Sequence, residues 1–201
     1  MKPNLHLLAL AASVSTLMLT STAASAETLQ VQTSTQSGGF SFRYLADNWG
    51  PKLKEATDGR VEIEFLPIKS VMPQNETPDG VAAGVLQGDL TSVAYFSGRN
   101  PAFAILGDLI AGYDSPAQVQ QFCKEGGGSE ALQDLWNTTI PDSIHVVGCG
   151  AVSKEALVSR VPIRGVADLK GIKIRSPEGL AATVFKAAGA SPVSISFADV
   201  F

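Results

Sequence analysis

The stretch DLKGIKIRSPEGLAATVFKAAGASPVSIS, residues 168–196, decides the fold because two periodicities alternate within it. Residues 171–175 predict a strand, residues 176–190 predict a helix closed by Gly189, and residues 192–196 predict a second strand. Strand, helix and strand in succession are the unit from which parallel sheets are built. The chain is therefore predicted to be an α/β protein.

Arg175 ends the first of these strands, directly before Ser176 and Pro177, which suit the N-cap and first position of the helix. Ligands of open α/β sheets bind outside the carboxyl ends of the strands, and a helix N-terminus offers unpaired N–H groups there. The planar guanidinium matches a carboxylate with two parallel hydrogen bonds. We predict that Arg175 and Ser176 bind a substrate carboxylate. The alternative is a surface arginine paired with Glu178 or Asp168.

The rest of the chain shows the same alternation. Apolar alternation or short apolar runs predict strands over residues 28–33, 60–68 and 90–96, and a strand-rich segment over residues 144–159. Helical spacing of apolar residues predicts helices over residues 42–56, 77–90, 114–125 and 130–139. Gly50 and Pro51 should kink the first helix, and Ser115 with Gln118 fits a capping box on the third. Trp49 and Trp136 are predicted core residues.

The N-terminus has the three parts of a secretory signal peptide. Lys2 is followed by a mostly apolar run and by the small residues Ala24, Ser25 and Ala26. We predict a signal peptide over residues 1–26 and an exported, periplasmic mature chain. The alternative, a membrane anchor, would require a longer apolar run.

Charge and cysteine usage exclude several classes of function. The formal net charge is −4 and no Lys/Arg stripe is present, so nucleic acid binding is not expected. Cys123 and Cys149 do not form a C-x-x-C motif and could be either a disulfide or two buried thiols. Residues 27–201 contain one histidine, His145, and no phosphate-loop or nucleophile-elbow motif occurs. We expect no metal, no cofactor and no enzymatic activity.

Residues 165–201 resemble the signature region of the solute-binding proteins of tripartite ATP-independent periplasmic (TRAP) transporters. The resemblance implies a two-lobed α/β clamshell that binds a small organic acid, works as a monomer and delivers the acid to membrane permease subunits. Residues 27–150 would form the first lobe, and residues 151–201 would form the start of a second lobe that is incomplete in this chain. The matching positions are Asp168, Leu169, Lys170, Gly171, Lys173, Arg175, Pro177, Gly189, Ala190, Pro192, Phe197 and Asp199.

The same resemblance assigns individual roles. Arg175 would form the salt bridge to the substrate carboxylate, and Phe197 would pack on the ligand. Many acid-binding members carry a second Arg or a Gln about twenty residues earlier, where Lys154 or Glu155 stands here. Lys154 would suit a second anionic group, and Glu155 an amine or hydroxyl.

Two aromatic residues complete the predicted site. Tyr95 ends an apolar strand and is predicted either to line the pocket or to pack in the core. Phe40 follows Gly38 and Gly39 and could line the cleft or cover the core. An exported hydrolase and the binding protein of an ATP-driven importer are the alternative functions. The first requires a nucleophile–base pair that the sequence does not reveal, and the motif at 168–179 favours the TRAP class over the second.

Overall fold

Two small parallel sheets organise the protein, and they confirm the predicted α/β class. A computed structural model describes residues 27–109, 112–150, 156–176, 179–195 and 199–200. The predicted signal peptide lies outside this range. Within the described residues, no helix combines the length and the apolar character needed to cross a membrane.

The first sheet has the strand order β2–β1–β3, with both neighbours parallel to the central strand. β1 spans Glu27–Thr33 and β2 spans Val61–Leu66, as the alternation predicted. β3 spans Gly88–Leu90 rather than the predicted 90–96. Gly88 pairs with Val31 so closely that a Cβ on it would lie 3.1 Å from a Val31 methyl group, so a larger residue there would require the valine side chain to shift.

The predicted strand 90–96 is wrong beyond Leu90. Residues Val93–Phe96 form a 3₁₀ turn, in which the backbone N–H of Ala94 donates to Ser92 Oγ, 3.4 Å away. The predicted helix 77–90 is also too long, because α3 spans only Thr77–Ala82. Gly84 follows it with a φ of +72°, a left-handed conformation that turns the chain into β3.

The first helical segment continues through Pro51 instead of kinking there. α1 spans Phe40–Tyr44, a π-helical turn spans Leu45–Trp49, and α2 spans Gly50–Ala56. The N–H of Gly50 donates to the carbonyl of Leu45, the wider spacing of a π turn. That turn carries the chain into α2 with Pro51 in its first turn, where the missing N–H costs little.

A second group of helices builds the aromatic core. α4 spans Ala102–Gly107, which the sequence did not predict, whereas α5 (Pro116–Glu125) and α6 (Gly128–Thr139) confirm the predicted pair. The predicted capping box is absent: Ser115 makes no side-chain cap bond, and Gln118 Oε1 instead accepts from the N–H of Asp114. The buried core residues are Phe96, Phe103, Leu132 and Trp136.

The two tryptophans have different environments. Trp136 is buried and its ring centroid lies 4.5 Å from that of Phe103, as predicted for a core residue. Trp49, also predicted to be in the core, is half exposed. Its ring covers Phe65 on β2 at a centroid distance of 5.8 Å, so it shields the sheet from solvent rather than entering the core.

Residues 144–150 adopt no regular secondary structure, so the predicted strand is absent over this range, and Ile144, Val146 and Cys149 pack against the aromatic core. The side-chain amide of Gln133 on α6 forms the hydrogen bonds to this backbone that a neighbouring strand would otherwise form. It donates to the Ile144 carbonyl (2.8 Å) and accepts from the Val146 N–H (2.7 Å). Cys149 forms a disulfide with Cys123 of α5, with the Cα atoms 5.5 Å apart. Of the two alternatives for the cysteines, the structure therefore has the disulfide.

The second sheet contains β4 (Lys173–Arg175) and β5 (Ser191–Val193), connected by α7 (Leu180–Ala187). β4 and α7 lie within the ranges predicted for them, whereas β5 begins one residue before the predicted 192–196 and ends at Val193. The N-cap of α7 is Gly179, however, not Ser176, so the predicted capping role of Ser176 is wrong. Gly179 has a φ of +95°, which is not helical, so α7 begins only at Leu180.

A buried carboxyl group lies beneath the carboxyl end of the first sheet. Asp89 of β3 accepts from Thr77 Oγ1 (2.6 Å) and from Gln74 Nε2 (3.4 Å). Thr77 Oγ1 also lies 3.0 Å from the carbonyl of Gln74, so one hydroxyl proton serves two acceptors. Burial raises the pKa of Asp89 to about 6, and the two side-chain hydrogen bonds oppose that rise only in part.

This raised pKa predicts that stability falls as pH rises. The native state holds the Asp89 proton more tightly than the unfolded chain, so this contribution is complete below about pH 4 and is lost as the pH passes 6. Asp89→Asn is neutral at every pH and should be more stable than the parent protein at pH 7.5, by about 2–3 kcal/mol. Urea unfolding at pH 4.5 and 7.5 measures the difference.

Asp79→Asn is the matched control for that measurement. Its partner Arg99 lowers the pKa of Asp79, so this carboxylate stays ionised throughout the interval. The Asp79 variant should keep the slope of the parent protein between pH 4.5 and 7.5, whereas the Asp89 variant should lose it. Equal slopes for the parent and for Asp89→Asn would show that Asp89 is ionised in the native state at the lower pH.

Candidate functional site

The carboxyl ends of the two sheets face each other. The loop after β2 and the turn after β3 extend from one edge of the first sheet, because its strands are parallel. The last residue of β4 and the segment after β5 leave the second sheet in the same way. We call the contact between these edges the strand-end junction, and its residues are Lys69, Tyr95, Arg175, Ile195 and Asp199.

Arg175 is the centre of the strand-end junction. Its Nε donates to the carbonyl of Ile195 (3.1 Å), and its Nη2 donates to Tyr95 Oη (2.8 Å). The bond to Ile195, which follows β5, orients the guanidinium plane. The bond to Tyr95 connects the guanidinium to the turn that follows β3. Two predicted site residues, 80 positions apart in the chain, are thus brought into direct contact.

Tyr95 packs against the core, one of the two alternatives that the sequence left open, and its hydroxyl contacts another predicted site residue. Its ring packs against the aromatic core beside Phe96, while its hydroxyl reaches the guanidinium of Arg175. A hydroxyl that accepts a hydrogen bond still has its own proton to donate. The tyrosine is therefore held by the core and presents a second donor next to the cation.

Arg99 fixes the turn that carries Tyr95. Its Nη1 donates to Asp79 Oδ1 (2.9 Å) and its Nη2 to the carbonyl of Asn75 (2.8 Å), which links residues after the 3₁₀ turn to α3. The Arg99 guanidinium lowers the pKa of Asp79 through a hydrogen bond, and Asp79 in turn raises the pKa of Arg99. The ion pair holds the turn that carries Tyr95 and is not part of the strand-end junction.

The second contact of the strand-end junction is an ion pair between Lys69 and Asp199. Lys69, three residues after β2, lies 2.5 Å from Asp199 Oδ2, in the segment after β5. Both side chains are partly exposed, so the pair adds little to stability by itself. The sequence analysis did not single out Lys69, although its position just after a parallel strand was the available signal.

The turn before α7 approaches the first group of helices very closely. A Cβ built on Gly179 would come within 2.6 Å of Ala104 Cβ on α4. Two features favour glycine here: a side chain would clash with Ala104, and a φ of +95° disfavours other residues. The turn after Arg175 is therefore seated directly on α4, and this seating helps to place the guanidinium beside Tyr95.

The remaining predicted site residues lie in different environments. Phe40 begins α1 and is exposed, with its ring stacked on Tyr44 at a centroid distance of 6.3 Å, so it does not cover the core. Ser176 is buried, and its backbone N–H donates to the Val193 carbonyl (3.2 Å), which extends the second sheet. Lys154, Glu155 and Phe197 lie outside the described residues.

The described part of the chain contains no group of three or more His, Cys, Asp or Glu side chains suited to a metal ion. What the junction offers is a guanidinium, a phenolic hydroxyl and a nearby ammonium–carboxylate pair. The first two are donors suited to a carboxylate in a setting of low dielectric constant. This arrangement can bind and orient an organic acid without covalent chemistry.

Comparison with known proteins gives a family match over most of the chain. Residues 33–201 match the DctP family, described as bacterial extracellular solute-binding protein, family 7. A monocarboxylate 2-oxoacid-binding periplasmic protein of Nostoc sp. is 29% identical over 147 residues, which are 72% of this chain and 38% of the relative.

Two solved structures of TRAP periplasmic solute-binding proteins share the fold. One, from Rhodobacter sphaeroides in an apo open form, has a TM-score of 0.64 and 39% identity, over 87% of this chain and 54% of the other. One from Bordetella bronchiseptica with bound mandelate has a TM-score of 0.66 and 25% identity, over 84% and 52%. The chain spans about half the length of these proteins.

The family match extends over most of the chain and includes the second sheet, β2, β3 and the residues of the strand-end junction. The family match confirms the resemblance inferred from residues 165–201, and the solved structures confirm the periplasmic-binding-protein type of α/β fold. The chain belongs to bacterial extracellular solute-binding protein family 7, the family of the TRAP transporter solute-binding proteins.

Proposed function

We propose that this protein captures a small organic acid in the periplasm and delivers it to the membrane permease subunits of a TRAP-type transporter. The observation that carries the proposal is the contact between Arg175 and Tyr95, which joins a cation on the second sheet to a hydroxyl in the 3₁₀ turn that follows β3 of the first sheet. A carboxylate placed there would contact both parts of the protein at once.

The binding mode follows from the donors at the junction. The guanidinium would form charge-assisted hydrogen bonds to the ligand carboxylate, and the hydroxyl of Tyr95 would donate its proton to the same group. Residues 27–150 would act as the first lobe and residues 151–201 as part of the second. Closure over the ligand would lower the local dielectric constant and strengthen both contacts.

The named ligands of similar proteins support this chemistry. The Nostoc relative is named for monocarboxylate 2-oxoacids, and the Bordetella structure contains mandelate. Both ligand types are small monocarboxylic acids. Their shared group is the one that an arginine beside a tyrosine hydroxyl suits best.

The proposal predicts that binding depends on the carboxylate itself. Isothermal titration calorimetry should detect 4-methyl-2-oxopentanoate, and its methyl ester should bind at least about 100-fold more weakly, because the ester offers no anionic oxygen for a charge-assisted hydrogen bond from Arg175. NMR of the mixtures should show no product over hours. Equal affinity for acid and ester, or conversion of either, would contradict the proposed function.

A further inference from the structure

We propose that the contact between Gly179 and Ala104 sets the distance across the strand-end junction and thereby the affinity for the ligand. This inference rests on the proposed function and assigns to it two positioning residues, which act without contacting the ligand. It is carried by the close approach of Gly179 to α4 and by the packing that connects one side of this contact to Tyr95 and the other to Arg175.

The contact leaves no room for an added methyl group. A Cβ built on Gly179 would lie 2.6 Å from Ala104 Cβ and 3.6 Å from Ser97 Cβ. Carbon atoms in ordinary contact are about 3.5–4.0 Å apart, so the turn before α7 would have to withdraw from α4 by about 1 Å. Ala104 cannot yield instead, because its methyl group is attached directly to the helix backbone and has no rotamer to change.

The α4 side of the contact is packed together with Tyr95. Phe103, directly before Ala104, is fully buried, and its ring contacts that of Phe96 edge-on at a centroid distance of 6.1 Å. Phe96 directly follows Tyr95 in the 3₁₀ turn. The helix that carries Ala104 and the turn that carries Tyr95 therefore form one packed unit, and a displacement from one of them is a displacement from both.

The other side of the contact is packed together with Arg175. Gly179 is the N-cap of α7, and Phe185 of this helix packs against the buried cluster that contains Ile174 of β4. Ile174 directly precedes Arg175. A turn that withdrew from α4 would therefore move α7 and the strand that carries the guanidinium along with it.

Two contacts thus join the same two packed units, one polar and one steric. Arg175 Nη2 lies 2.8 Å from Tyr95 Oη, and a withdrawal of about 1 Å would take this pair out of hydrogen-bonding range. A carboxylate that accepts from both donors would then reach only one of them. The small residues at positions 104 and 179 are therefore what allows the guanidinium and the hydroxyl to bind one ligand group.

Ala104→Leu tests the contact from the α4 side without straining the backbone, since leucine suits a helix. Calorimetry with 4-methyl-2-oxopentanoate should show an affinity at least about tenfold lower than that of the parent protein. Ala102→Leu is the matched control, because Ala102 lies on the same helix but borders an open groove between α4 and α6. Its affinity should stay within about twofold of the parent. Parental affinity in Ala104→Leu, or equal losses in the two variants, would overturn the proposal.

A rescue experiment separates the steric contact from the backbone conformation of Gly179. Gly179→Ala should also weaken binding, but its φ of +95° disfavours alanine in any surroundings. The double variant Gly179→Ala/Ala104→Gly keeps that strain and removes the opposing methyl group. It should bind the acid several-fold more tightly than Gly179→Ala alone. A double variant that binds no better would show that Gly179 acts only through its own backbone, and would overturn the proposal.

Urea unfolding without ligand tests the positioning role independently of binding. Tyr95→Phe removes the hydroxyl that meets Arg175 and should lower the urea midpoint of the parent protein. It should leave the midpoint of Ala104→Leu unchanged, because the hydroxyl is out of reach once the units are held apart. Equal reductions in both backgrounds would overturn the positioning role alone, whereas a parent protein that does not bind the acid would overturn the proposed function.

Discussion

Replacing Arg175 with lysine is expected to weaken binding of an organic acid by about 30- to 100-fold. Lysine keeps the charge but not the planar fork, so it cannot bond to the Ile195 carbonyl, to Tyr95 Oη and to a carboxylate at fixed angles. Arg175→Ala should cost more, about 3 kcal/mol or over 100-fold, because the ligand anion would be buried without a counter-charge.

Calorimetry of both variants against the same acid measures these losses, and Lys173→Ala serves as the control. Lys173 lies on the same strand and is exposed, so its removal changes the net charge equally without altering the strand-end junction. Its affinity should stay within about twofold of the parent protein, since exposed charges are well screened. Parental affinity in Arg175→Lys would exclude a bidentate role for the arginine.

Removing the disulfide is expected to lower the free energy of unfolding by about 3 kcal/mol. Cys123 and Cys149 are 26 residues apart, so the crosslink restricts a substantial loop in the unfolded chain. In the native state it attaches residues 144–150, which otherwise rely on the amide of Gln133 and on apolar contacts. The double variant Cys123→Ala/Cys149→Ala should therefore unfold at lower urea concentration.

A reductant distinguishes loss of the crosslink from loss of packing. Dithiothreitol should destabilise the parent protein to about the level of the double variant and should leave the variant itself unchanged. Hydrogen exchange at Val146 should accelerate in the reduced parent protein and in the double variant, because this N–H depends on the restrained contact with Gln133. Identical unfolding of parent and variant without reductant would mean that the crosslink does not stabilise the native fold.

Local patterns in the sequence predicted the elements whose stability is local. The alternation in β1 and β2 and the helical spacing in α5, α6 and α7 each identified an element close to its observed bounds. The prediction failed between residues 77 and 96, where the helix is shorter and the strand lies earlier. There the boundary depends on Gly88 approaching Val31 of another strand, a contact that no local pattern reveals.

The same distinction applies to the site. Arg175 was identifiable because a cation at the end of a strand conflicts with burial unless an anion is bound. Its partner Tyr95 was an ambiguous aromatic residue, and Lys69 was not among the predicted site residues. Their roles depend on which strand ends meet, and that is set by contacts between residues 80 and 130 positions apart.

The sequence by itself determined the α/β class, the family and the residue expected to bind a carboxylate, since periodicity and a contiguous motif are written along the chain. Only the tertiary structure decided that Arg175 meets Tyr95, that Cys123 and Cys149 are joined, and that Asp89 is buried with a raised pKa. Each of these depends on distance and solvent exclusion between segments remote in sequence, and these quantities exist only after the chain has packed.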